Sequence, residues 1–229
     1  MASITLKLQE LRQRVGNACA LAARPVESVT LLAVAKTFGA DAVLAAHATG
    51  CHAFGENYVQ EALAKIDALA DLRSRIEWHL IGPLQGNKTR EVAQAFDWVH
   101  TIDRLKIAER LSAQRPPQLA PLNVCVQVNI DGQASKSGVA PAEVAALARA
   151  VAALPRLRLR GLMSIPEPVQ SFAAQRVPHR RLRELLESLR AEGLALDTLS
   201  MGMSADLEAA IAEGATIVRV GSAIFGSRS

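Results

Sequence analysis

Lys36 stands directly after the apolar run Leu31-Leu32-Ala33-Val34-Ala35. A lysine there is expected to be poorly solvated, and burial disfavours the ammonium form. A neutral amine is what Schiff-base chemistry with a carbonyl compound requires. Taken alone, Lys36 also reads as a lysine snorkelling from a strand end. Far along the chain, Arg219-Val220-Gly221-Ser222 offers different chemistry. On period-two alternation Ile217, Arg219 and Gly221 share one face. An arginine in an apolar strand is costly unless it meets an anion or an acceptor. Gly221 and Ser222 would then present backbone N–H groups and a hydroxyl, donors suited to a phosphate. Gly55-Glu56-Asn57-Tyr58 and Ser200-Met201-Gly202-Met203-Ser204 place further polar groups after apolar runs. Glu56, Asn57 and Ser204 have a plainer reading as helix caps, and His79 as a satisfied core histidine.

These groups act together only if the fold gathers them. Strand-like runs occur at Val29–Lys36, Cys51–Gly55, Ile76–Ile81, Trp98–Ile102, Asn123–Asn129, Leu159–Ser164, Thr198–Met203 and Thr216–Val220. Helix-like patterns fill the seven gaps, at Asp41–Thr49, Val59–Leu72, Lys88–Ala95, Arg104–Gln114, Pro141–Leu154, His179–Glu192 and Asp206–Glu213. An amphipathic first helix, with Ile4, Leu8, Leu11 and Val15 on one face, can cover the remaining helical position. Near-continuous apolar strands mark a parallel sheet buried on both faces. An open doubly wound sheet gives the same alternation, but the count of eight favours a single (β/α)8 TIM barrel spanning residues 1–229. In such barrels the strand ends carry the site, and phosphates often bind after strands seven and eight. A first-strand lysine would then face an anion cradle across the mouth. The stretch from Pro166 to Pro178 reads as a loop on that face.

Composition narrows the function. Half of the residues are hydrophobic and only 3% aromatic, so Ala, Leu, Val and Ile must build the core. The net charge of +4 is spread over runs such as Arg156 to Arg160 and Arg176 to Arg183, read as solvated helix surface. No nucleic-acid module or aromatic interleaving accompanies them. The three cysteines show no ligand or disulfide spacing, which suits a reducing, cytoplasmic compartment. No apolar run is long enough for a membrane span.

Ala33-Val34-Ala35-Lys36-Thr37, Phe54-Gly55-Glu56-Asn57-Tyr58, His79-Leu80-Ile81-Gly82-Pro83-Leu84-Gln85, Gly161-Leu162-Met163-Ser164-Ile165-Pro166, Leu199 to Ser204 and Arg219 to Gly226 follow in order. Together they resemble the pyridoxal phosphate homeostasis proteins, relatives of the N-terminal barrel of alanine racemase. The resemblance implies pyridoxal 5'-phosphate as cofactor, bound to Lys36 as an internal aldimine. It implies that Ser200, Gly221 and Ser222 hold the phosphate, that Arg219 approaches the pyridine nitrogen, and that Asn57, Met201 and Ser204 lie close by. The chain departs from the family at Val169-Gln170-Ser171-Phe172, where aromatic and acidic residues are common.

An arginine has no acceptor and discourages protonation of the pyridine. The ring is then a poor electron sink. A two-base racemase also needs an acid/base group on each face of the substrate carbon. In alanine racemase the second is a tyrosine from a C-terminal β-domain. This chain ends at Ser229 and has only Tyr58. The expectation is a monomeric carrier that buffers the cofactor and supplies apo-enzymes without turnover. The alternatives are a weak racemase using Lys36 with Tyr58 or His79, and a barrel for another phosphate ester.

Overall fold

The apolar runs pair in chain order into a closed, all-parallel barrel, with β8 returning to β1. The computed structural model describes residues 3–133 and 136–226. Its strands are β1 Thr30–Val34, β2 Ala53–Glu56, β3 Glu77–Leu80, β4 Trp98–Ile102, β5 Leu122–Gln127, β6 Leu157–Met163, β7 Thr198–Ser200 and β8 Ile217–Val220. The helices are α1 Ile4–Leu21, α2 Ala40–His47, α3 Val59–Ala68, α4 Thr89–Ala95, α5 Leu105–Gln114, α6 Val144–Ala152, α7 Phe172–Ala191, α8 Leu207–Ala212 and α9 Ser222–Phe225. The expected TIM barrel is the fold. Residues 1–2, 134–135 and 227–229 of the expected domain lie outside the described residues.

Strand alternation sorts side chains into two cores. Ala33, Phe54, Val99, Val124 and Leu162 pack in the large outer core shared with the helices. Leu32, Ala53, Trp98, Cys125, Met163 and Ile217 form a smaller core. α1 takes the place expected of it. Ser3 caps the helix by accepting from Leu6 N, Leu8, Leu11 and Val15 are buried, and the helix packs on α2, α8 and α9. Arg14 ties it to Glu208 of α8.

One expected element differs most. α7 begins at Phe172 rather than His179, so most of the expected loop up to Pro178 is helix. Pro178 removes only one intrahelical bond there, and the preceding turn is held by other means. Ser171 caps it by accepting from Ala174 N. The Gln175 amide donates to the carbonyls of Val169 and Ala205. The buried stripe His179, Leu182, Leu186 and Leu189 anchors the rest.

Candidate functional site

β1 stops at Val34, two residues short of the expected end. Thr37 adopts a left-handed φ of 69°, turning the chain just after Lys36. Two side chains of α3 fix this turn. Lys65 Nζ donates to Ala35 O at 2.7 Å, and the Glu61 carboxylate accepts from Thr37 N at 3.1 Å. Lys36 is thus held from both flanks while its side chain is exposed, contrary to the poor solvation expected of it. Among the described residues it has no ion-pair partner. Lys65 in turn pairs with Glu56 at 2.7 Å, the two side chains only 7% and 0% exposed. Burial pushes the Glu56 carboxyl up to about 7, while Lys65 pulls it back. Glu56 is therefore a buried structural acid and neither a cap nor a rim group.

β8 lies beside β1, with Ala33 opposite Val220. Lys36 and the Gly221–Ser222 segment are therefore neighbours and do not face each other across the mouth. A Cβ on Gly221 would come within 3.0 Å of Val34 O, so the close approach of the two chains needs glycine. Phe38 and Phe225, with ring centroids 5.1 Å apart, tie the loop after Lys36 to α9. Ser222 is exposed at the start of that turn. Among the described residues, the N–H groups of Ser222 and Ala223 have no backbone acceptor.

Arg219 is 4% exposed. Its guanidinium donates to Ser200 Oγ and to Ser164 O, both at 2.8 Å. Burial lowers its pKa to about 10, against the pull of Asp206, so it keeps its charge at neutral pH. Ser200 is fully buried and shared between Arg219 and His100. Its hydroxyl is engaged by those two side chains. Asn57 is half-buried at the end of β2, and its Oδ1 is buried without a partner. Ser164 Oγ is in the same condition. Met201 is buried in the outer core, so its side chain packs under the helices. Ser204 is half-buried on the turn after β7, where its carbonyl accepts from Arg14. The N-cap position of α8 belongs to Asp206, not Ser204, and its carboxylate makes no capping bond there.

The alternative acid/base groups are placed differently. Tyr58 is 55% exposed, just before α3. His79 is buried, with one ring nitrogen 2.9 Å from His100 Nε2 and the other 3.2 Å from the Glu77 carboxylate. The plain reading of His79 as a satisfied core residue therefore holds. His100 and Ser164 were missed in the sequence. Alternation could have put His100 on the face of Trp98, but not shown that it meets β3 and β7. A cavity of ≈ 590 Å³ opens elsewhere, at the N-terminal face among Arg12, His52, Arg75 and Glu77.

The chain belongs to the alanine racemase N-terminal domain family, whose model matches residues 6–229. Its likeness is closer to a particular group within that class. It is 58% identical over 228 residues to the pyridoxal phosphate homeostasis protein of Pseudomonas aeruginosa, covering 100% of this chain and 97% of that one. It is 51% identical over 229 residues to the protein of that name from Escherichia coli K12, covering 100% and 98%. The structure of PipY from Synechococcus elongatus with PLP bound superposes with a TM-score of 0.85 at 36% identity, covering 98% of this chain and 100% of that one. No described helix is long and apolar enough to cross a membrane.

Proposed function

We propose that the barrel mouth holds pyridoxal 5'-phosphate, keeping the cofactor in store for apo-enzymes rather than using it for turnover. The observation that carries this reading is an unpaired lysine amine at the end of β1 beside a strand whose buried guanidinium lies below the same mouth. The residues fit the group. Asn57 Oδ1 and Ser164 Oγ are buried polar atoms without partners, and Gly221 lets the backbone of Ser222 and Ala223 stand open at the β1 edge. The bound cofactor would supply an aldehyde and an electron-withdrawing ring. Lys36 would be the amine for the aldehyde, Gly221, Ser222 and Ser204 would hold the phosphate, and Asn57 would line the ring. Ser200 would act through Arg219, and Met201 through its backbone.

Arg219 argues for storage. Being a donor with no acceptor, it would not help the ring gain a proton. A ring so placed is a weak electron sink compared with one paired to a carboxylate. His79 has both nitrogens engaged and Tyr58 stands on the exposed rim, so neither supports a racemase. As a monomer, the protein would need no residue from a second copy.

The first test is the visible spectrum of the protein with pyridoxal phosphate, before and after borohydride, beside Lys36→Ala. The expected result is a band that borohydride removes, a mass increment on the Lys36 peptide, and no band in the variant. A band that survives in Lys36→Ala would overturn the assignment. Solvent-deuterium exchange at the α-carbon of L-amino acids, lost in Lys36→Ala, would overturn the reading as a store. Gel filtration checks the monomer.

A further inference from the structure

A chain of polar side chains runs through the barrel interior, from Glu77 to Arg219. The Glu77 side chain, 51% exposed, lines the cavity at the N-terminal face. It contacts His79 Nε2 at 3.2 Å; His79 Nδ1 meets His100 Nε2 at 2.9 Å; His100 Nδ1 meets Ser200 Oγ at 2.8 Å; and Ser200 Oγ accepts from Arg219 at 2.8 Å. The nearby groups are few. The indole of Trp98 stacks on His79 at 5.3 Å, and Arg160, paired with Asp197, sits 4.8 Å over that indole. Cys125 contributes a buried thiol.

We propose that Glu77, His79 and His100 are positioning residues for the cofactor mouth, a wire whose direction sets where the Ser200 hydroxyl points and so how Ser200 holds Arg219. This rests on the mouth being the cofactor site.

The direction follows from donor counting. A carboxylate only accepts, so His79 must carry a proton on Nε2. The hydrogen bond from His79 holds the Glu77 carboxyl below its usual range, which keeps it an acceptor. With His79 neutral, its Nδ1 is an acceptor, and His100 must donate from Nε2. Burial, with His79 and Arg219 nearby, holds His100 far below the usual histidine range, so it stays neutral and its Nδ1 accepts. The Ser200 hydroxyl is therefore obliged to donate to His100, leaving its lone pairs for Arg219. With protons on both nitrogens of His79 the two central bonds would reverse, while His79 Nε2 still donates to Glu77 and Arg219 still donates to Ser200. His79 donates to His100 Nε2, His100 carries its proton on Nδ1 and donates to Ser200, and the Ser200 O–H is released. The bonds are all present in either state; only the direction of the His79–His100 and His100–Ser200 bonds changes, and the N-terminal face reads out at the opposite mouth.

The test has a part without cofactor and a part with it. In protein carrying 15N-labelled histidine at pH 8, ring-nitrogen shifts should report His79 and His100 both protonated on Nε2. A His100 protonated on Nδ1 at that pH overturns the wire. With pyridoxal phosphate, His100→Phe removes the acceptor, while His100→Asn restores a polar group near the position of Nδ1. The Phe variant should bind about tenfold more weakly, the loss of one oriented hydrogen bond, and should flatten the pH dependence of the visible band. The Asn variant should recover most of the affinity. Unchanged binding and pH profile in His100→Phe, or no recovery in an equally stable His100→Asn, overturns the positioning role. A wild-type protein with no borohydride-sensitive band would instead defeat the cofactor reading, while leaving the tautomer result to stand or fall alone.

Discussion

Lys65→Met tests whether the turn carrying Lys36 depends on a buried charge. Lys65 Nζ makes two bonds of 2.7 Å, one to Glu56 Oε1 and one to Ala35 O. Methionine keeps the length and apolar stem but strands both acceptors, and Glu56 Oε2 already lacks a partner. Breaking one side of a buried pair costs about 3–5 kcal/mol. The pH dependence distinguishes this from a packing defect. A carboxyl raised from 4.5 to about 7 binds its proton more tightly in the folded state. Its stabilising contribution is full below 4.5 and lost as pH rises through about 7. Without Lys65 the folded carboxyl rises further, so from pH 7 to 8 the variant loses about 1.4 kcal/mol while the parent, already half-ionised near 7, loses about 0.35 kcal/mol. The cost should therefore grow by about 1 kcal/mol over that unit. Urea unfolding at pH 7 and 8 measures it, with Glu56→Gln/Lys65→Met as the control that removes the titration. An equal cost at both values, or a control with the same pH dependence, would refute the reasoning. At matched stability the variant should also bind pyridoxal phosphate more weakly, because Ala35 O is released.

Gly82→Ala should be among the costly small changes. Its Cβ would lie 2.1 Å from Asn57 O, a backbone atom that cannot swing aside. Overpacking of this kind costs about 1–3 kcal/mol or more, and thermal unfolding should shift down by several degrees while cofactor binding weakens. Gly16→Ala, in the middle of α1 with nothing within 4 Å, should instead gain about 0.5–1 kcal/mol; a loss there would mean that α1 packs differently. The thiols give an independent check of burial. Burial pushes Cys125 to about 12 and Cys51 to about 11, and raises Cys19 too. A thiol–disulfide reagent at pH 8 should therefore react only after urea unfolds the chain, and prompt reaction in the native protein would contradict the core described.

The barrel was legible because it rests on repetition. Eight apolar runs separated by helical patterns have few ways to bury both faces, and α1 supplied the missing cover. The strand-end residues were legible one at a time, but their relations were not. Lys36 and Gly221 are close because β8 pairs with β1, so closure makes neighbours of the two ends of the sequence. Read along the chain, they seemed to belong on opposite sides. Glu56 sits in a strand-to-helix connection and looks like a cap until α3 is folded back and Lys65 meets it. Pro178 misled for the opposite reason: a strong local signal for a break was overridden by the cap at Ser171 and the buried stripe beyond it. Local rules set the elements, while charge pairing across elements set the site.

That division also bears on the proposal that the site stores a cofactor. Lys36 stands exposed on a turn braced by its backbone, so the amine is open to an incoming aldehyde without being buried by the fold itself. Arg219 is the reverse, a buried cation satisfied by Ser200 and Ser164 O. An arginine so enclosed is costly unless its N–H groups are met, and here the barrel meets them before any cofactor is considered. The expense is justified if the guanidinium must be present and fixed at the ring while contributing no proton acceptor. On this reading accessibility belongs to β1 and restraint to β8, whose arginine is fixed by Ser200 and Ser164 O.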